Sequence, residues 1–129
     1  MLDTNAASGL VKGQPKVTAR FKAEAPDRVC LSAVTEGEML SGVARRPEAR
    51  RLRAAVNEFL AAIDVLPWTS ATAHRYAALR AGLEPRGRQL GALDLLIAAH
   101  AVEQDAVLVT NDRAFGAVPG LRFEDWTQA

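Results

Sequence analysis

Asp3, Glu38, Asp94 and Asp112 are the residues of this chain whose types and positions could do chemistry together. Asp3 ends the apolar opening Met1-Leu2 and runs into Thr4-Asn5. A strand stops and a helix starts in such a sequence, because strand interiors avoid Asp while helix caps favour Asp, Thr and Asn. Asp112 ends the run Ala106-Val107-Leu108-Val109-Thr110 in the same way. Glu38 lies in the first helical turn after an apolar stretch at 29–33, and Asp94 in the first turn of a helix over 93–102. Clustered carboxylates repel unless something positive sits between them. With one cysteine and no well-placed histidine, an all-oxygen set calls for a hard cation, Mg²⁺ or Mn²⁺. Such an ion polarises a phosphoryl oxygen and lowers the pKa of bound water toward ~7, as phosphodiester hydrolysis requires.

The elements that must position these acids alternate between strand and helix. A helix over 5–12 is stopped by Gly13, and Pro15 opens a second, to about Ala25, with Val17 and Phe21 on one face. Val29 to Ala33 is a compact strand. Thr35 is expected to cap a helix to about Arg46, and Pro47 to end it and start the next, whose apolar stripe is Leu52, Val56, Leu60 and Ile63. Val65 to Trp68 is a brief strand, placed at an edge or end by Pro67. Ser70 caps a helix through Leu83, and the stretch 82–91, with Pro85 and Gly87, is the longest polar break. The helix over 93–102 is apolar nearly all round and therefore buried. Ala106 to Thr110 reads as a strand in the middle of a parallel sheet, and Leu121 to Glu124 as a last strand. The pattern is one α/β domain over residues 1–129, with no internal repeat.

Topology brings the acids to one edge. Asp3 and Asp112 each follow a strand, so both lie at the carboxyl edge of a parallel sheet, where open α/β sheets bind ligands. Glu38 belongs to the same edge. The helix carrying Asp94 feeds the strand at Ala106, and at about a dozen residues it is ~20 Å long, which returns its first turn to that edge. Singly, each acid has a structural role: Thr35 and Glu38 fit a capping box, Asp94 suits a helix dipole, and Asp112 can cap a turn. Together at one edge they read as a site.

Composition bounds the partners. Hydrophobic residues make up 49% of 129 residues, enough for a proper core. The net charge is +1, so a nucleic-acid partner would be met by a local patch. Thirteen of the sixteen basic residues are Arg, whose planar donor fork suits phosphate. Cys30 stands alone, which excludes an internal disulfide and a cysteine zinc site. No signal peptide or long apolar run occurs, and a cytoplasmic protein is the expectation.

Four blocks carry a resemblance. Leu2 to Asn5, Leu31 to Glu38 (LSAVTEGE), Leu93 to Ala101 (LDLLIAAHA) and Leu108 to Phe115 (LVTNDRAF) are similar, in order and over essentially the whole chain, to the blocks of the PIN-domain nucleases. More narrowly they resemble the VapC toxins of bacterial type II toxin–antitoxin pairs. The resemblance implies an α/β/α sandwich around a short, mainly parallel sheet and Mg²⁺-dependent endoribonuclease activity. It also implies a small antitoxin in the active-site groove, and a homodimer. Residue by residue, Asp3 and Asp94 fall on the direct metal ligands, and Glu38 and Asp112 complete the acidic quartet. Thr110 falls where a hydroxyl orients water or an acid, and Asn5 where an amide buttresses the first Asp. Family members carry several apolar residues before that Asp. This chain has two, so its opening strand is short or starts upstream.

Arg45, Arg46, Arg50, Arg51 and Arg53 form a basic run suited to RNA phosphates, although a solvated helix face is the ordinary reading of such a run. Arg86 and Arg88 could also reach RNA. His100 reads as a hydrogen-bonded core histidine, His74 as a surface residue, and Trp68 and Trp126 as packing residues. Two other acidic α/β classes fit less well. A phospho-signalling receiver needs paired acids after the first strand and a late Lys, yet no Lys follows Lys22. A haloacid-dehalogenase-type phosphatase needs a second acid where Asn5 stands. A non-catalytic module on the same scaffold is the remaining alternative.

Overall fold

The computed structural model describes residues 1–86 and 90–128. Its helices are α1 (Thr4–Val11), α2 (Pro15–Ala23), α3 (Ala33–Ala44), α4 (Arg50–Ala62), α5 (Ser70–Leu83) and α6 (Ala92–Glu103). Its strands are β1 (Cys30–Ser32), β2 (Asp64–Leu66), β3 (Leu108–Val109) and β4 (Phe123–Glu124). Strands β1 and β2 pair in parallel, as do β3 and β4. The opening segment joins the two pairs: Leu2 bridges in parallel to Leu31 on one side and Val109 on the other. Leu2 N donates to Cys30 O, Asp3 N to Val109 O, and Val109 N to Met1 O. The order across the sheet is β2, β1, the opening segment, β3, β4. The shortest strand is thus the central one, and β2, with Pro67 just beyond it, lies at an edge.

Side-chain alternation along these strands divides the core in two. Leu2, Leu31, Val65 and Val109 face a cluster with α1 to α4, built on Val17, Met39, Val43 and Val56. Their chain neighbours Met1, Cys30, Leu66 and Leu108 face a cluster with α5 and α6, built on Leu79, Leu95, Ile97 and Phe115. Period-two alternation with apolar residues on both faces is what a sheet covered on both sides requires. The result is the α/β/α sandwich with a short parallel sheet. Full burial of Leu2 alone stabilises this arrangement by about 1.5–3 kcal/mol.

Three helix starts differ from the sequence expectation. Helix α4 begins at Arg50 and not at Pro47, because a turn at 47–48 comes between. The cap of α3 is Ser32, whose Oγ accepts from Val34 N at 3.1 Å, whereas Thr35 is fully buried one turn in. The capping box of Thr35 and Glu38 therefore does not form, and Glu38 sits in the second turn. The cap of α5 is Thr69, which forms its box with Thr72, in place of Ser70. Strands are also shorter than their apolar runs. Ala106, Val107 and Thr110 flank β3 without extending it.

His100 is fully buried on α6, and its Nδ1 lies 2.8 Å from Ser32 Oγ. Its Nε2 faces the Pro67 carbonyl without closing a hydrogen bond. Burial pushes its pKa below the usual histidine value, so the ring is neutral in the fold. This is a core histidine, tying α6 to the end of β1. His100→Gln should cost about 1–3 kcal/mol, through a buried hydroxyl left with a poorer partner. A depressed folded pKa also means that the unfolded chain binds the proton first. Wild-type stability should therefore fall as pH drops below ~6.5 toward that depressed value, a dependence the Gln variant lacks. Chemical denaturation at several pH values reads both effects.

Candidate active site

Asp3 is the centre of the site. It is 4% exposed, and its Oδ1 accepts from Ala6 N at 2.8 Å, so it caps α1 as well as ending the central segment. Burial raises its pKa above the ordinary carboxylate value. The Thr110 hydroxyl and the Ala6 amide act against that rise, and the charges of Asp112 and Glu38 add to it. Asp94, in the first turn of α6, is raised too, first by burial and then by Glu38, Asp112 and Asp3. The four carboxylates predicted to meet are thus within electrostatic reach of one another at the carboxyl edge.

Their anchors differ. Glu38 Oε1 accepts from Thr4 Oγ1 at 2.6 Å, a bond that pins α3 to the start of α1. Asp112 caps the 3₁₀ turn Arg113–Ala117 through Oδ1 and Ala114 N at 2.9 Å. Asp94 takes no hydrogen bond from the described residues. Thr110 is buried, and its Oγ1 accepts from Asp112 N at 3.1 Å, so one hydroxyl contacts two of the acids. Asn5 is exposed on α1 and makes no hydrogen bond to Asp3; the polar link on that side comes from Thr4. Thr4 carries no stronger signal in the sequence than a hydroxyl directly after an acid at a strand end.

Among the described residues, no three His, Cys, Asp or Glu side chains stand close enough together to hold a metal ion as they are placed. The donor set still fits a hard divalent cation. It is all oxygen, two of its members are disfavoured as anions by burial and by each other, and the anchoring bonds of Glu38 and Asp112 each occupy one oxygen. A groove beside the acids runs between α3 and α6, lined by Glu38, Ser41, Arg45, Leu93 and Leu96. Leu93, 47% exposed, is a large apolar side chain left open at its rim.

Of the basic run, Arg45 enters this groove and bonds Ser41 Oγ at 2.7 Å, while Arg53 is tied to Pro47 O at 3.0 Å. Arg50 and Arg51 occupy the first turn of α4, where positive charge opposes the helix dipole. Arg88 and the side chain of Arg86 lie outside the described residues. If RNA follows the groove, Arg45→Ala should weaken binding and reduce the slope of log K against log[salt] by ~0.7, one phosphate contact on a single strand. Arg53→Ala should leave the slope alone. Equal slopes across alanine variants of all five residues would make the run a solvated face.

The PIN domain family matches residues 1–121. The chain belongs to that family. Among curated relatives it is 37% identical over 129 residues to the tRNA(fMet)-specific endonuclease VapC of Shigella flexneri, covering 98% of this chain and 97% of the relative. Among solved structures, DNA-bound VapBC from Salmonella typhimurium superposes with a TM-score of 0.91 at 34% identity, over 98% of this chain and 96% of that one. VapBC2 from Rickettsia felis, bound to a promoter DNA fragment, gives 0.90 at 28% identity over 98% and 97%. Within the PIN family this chain is of the VapC type.

Proposed function

We infer that the protein is a Mg²⁺-dependent endoribonuclease, the toxin of a type II toxin–antitoxin pair, with Mn²⁺ as an alternative ion. The observation that carries the reading is a buried Asp3 pressed by Asp112 and Glu38, with Asp94 pressed by all three, at the carboxyl edge of a VapC-type fold. Asp3 and Asp94 would hold the ion, with Glu38 and Asp112 completing the pocket. A bound divalent cation supplies charge for a phosphoryl oxygen and a water of lowered pKa. The chain's own residues do the placing. Ala6 N and the Thr110 hydroxyl hold Asp3 in one orientation and favour its charged form. Thr4 fixes Glu38, and Ala114 N fixes Asp112. Arg45 offers a cation to the RNA backbone along the α3–α6 groove.

A cognate antitoxin would cover that groove, including the exposed Leu93, and a homodimer in the cytoplasm is the expected working form. No helix among the described residues is long and apolar enough to cross a membrane. RNA is the substrate class, and the name of the Shigella relative makes tRNA(fMet) the first RNA to try. The test is to incubate pure protein with total RNA, in Mg²⁺ and in chelator, and to sequence the new ends. Discrete ends that need the ion support the reading; ends identical in chelator, or none, sink it.

A further inference from the structure

A second cavity, of about 240 Å³, shares no lining residue with the α3–α6 groove. It is lined by α1, α2 and the chain at and just beyond the ends of β3 and β4, at the carboxyl edge of the sheet. Thr110, which acts on Asp3, forms part of its wall. Its larger apolar lining residues are Val17, Val109 and Trp126, and the Arg20 guanidinium lies over the Trp126 ring. Trp126 is 4% exposed, and its Nε1–H finds no acceptor among the described residues. Around the opening stand Asn5, Asn111 and Asp125. The Asn5 and Asn111 amides are exposed and make no hydrogen bonds among the described residues. Asp125 is held ionised, because the Thr127 hydroxyl and amide keep its carboxyl below the usual range.

These features select the part of an RNA that fits. Among the described residues that line the cavity none is Lys or Arg, and the one charge is Asp125. Arg20, 5.2 Å from the centroid of the Trp126 ring, and Arg113, near enough to Asp125 to favour its charged form, stand just outside that lining. A flat group with an apolar face and polar edges suits a lining that sets Val17, Val109 and Trp126 beside Asn5, Asn111 and Asp125. Amide side chains and carboxylates read base edges, and unstacked bases of single-stranded RNA are recognised by apolar or aromatic walls with such groups around them. We propose that this cavity receives one unstacked nucleobase of the RNA next to the scissile phosphate, with Asn111 and Asp125 reading its edge. Asp125 accepts hydrogen bonds and donates none. It therefore favours a base presenting an amine, such as cytosine through N4, over uracil, which presents O4 there. The proposal rests on the reading of the chain as a ribonuclease and adds to it a specificity subsite.

The test is binding in chelator, which separates recognition from cleavage. Fluorescence anisotropy is measured with labelled single-stranded RNA hexamers, each carrying one abasic nucleotide. The expected result is one position at which losing the base weakens affinity about tenfold, the scale of a base-stacking contact. Uracil at that position should bind more weakly than cytosine, and Asn111→Ala and Asp125→Asn should narrow these differences. Asn111 is exposed, so its variant tests the subsite without disturbing the core. Equal affinity for every abasic hexamer, or variants that discriminate as the wild type does, would overturn the subsite. Those results would leave the nuclease reading standing if RNA is still cut in Mg²⁺. Base-dependent binding with no cleavage in Mg²⁺ would instead sink the nuclease reading and keep the cavity.

Discussion

Asp94→Asn and Asp3→Asn should each give a folded protein that no longer cuts RNA in Mg²⁺ and no longer arrests growth when expressed. The amide keeps the shape of the carboxylate and loses the charge that holds a divalent ion. The loss should exceed the ~10–100-fold that follows removal of a residue that only supports a ligand. Thr110→Val, which removes a hydroxyl acting on Asp3 and Asp112, should fall within that smaller range. Circular dichroism establishes folding, and cleavage of one RNA substrate over time gives the rates. A folded Asp94→Asn protein cutting at the wild-type rate removes Asp94 from the site. His100→Gln, corrected for its folded fraction, should cut normally.

The second large effect needs no substrate. Without an ion, Asp3 is a buried anion beside other anions, and Asp3→Asn relieves that repulsion while retaining a good helix cap, since Asn and Asp cap comparably. The apo variant should be more stable than wild type by ~0.5–2 kcal/mol, the usual exchange of function for stability. The sign with pH follows from the raised pKa. In the folded protein Asp3 keeps its proton to higher pH than in the unfolded chain. Its favourable contribution is complete below the unfolded value of 3.8 and is lost as pH rises through the folded one. Mg²⁺ should offset that loss in wild type, by about 2.7 kcal/mol at a hundred times Kd, and do little for the variant. Thermal melts of both proteins across pH, with and without Mg²⁺, measure all three trends. An apo Asp3→Asn protein clearly less stable than wild type, together with a wild type indifferent to Mg²⁺, would make Asp3 a structural cap.

Much of this was legible because period and punctuation are local. Alternating strands and helices, the buried α6 and the edge position of β2 follow from apolar spacing and Pro67, and the meeting of Asp3, Glu38, Asp94 and Asp112 follows from parallel topology. The cap of α3 was not legible, since Ser32 and Thr35 both offer a hydroxyl and only the end of β1 decides between them. Moving that start by three residues frees Glu38 from a capping role and lets it meet Thr4. The Thr4–Glu38 bond joins residues 34 apart, so no local pattern announces it. The cavity beside Trp126 escaped for the same reason: Asn5, Asn111 and Asp125 become neighbours only after the sheet closes.

The place of residues 1–3 between β1 and β3 has a consequence for the order of synthesis. Met1 N bonds Val107 O across 106 positions, and Asp3 N bonds Val109 O. A ribosome therefore makes the middle of the sheet before either β3 or the helix that feeds it exists. Until residues 107–112 have left the exit tunnel, Leu2 has a partner on one side only and Asp3 has neither Thr110 nor Asp112 beside it. A nascent chain arrested before that point has no Asp112 or Thr110 beside Asp3, so the cluster of four acids is withheld from every product of translation that stops short of residue 112.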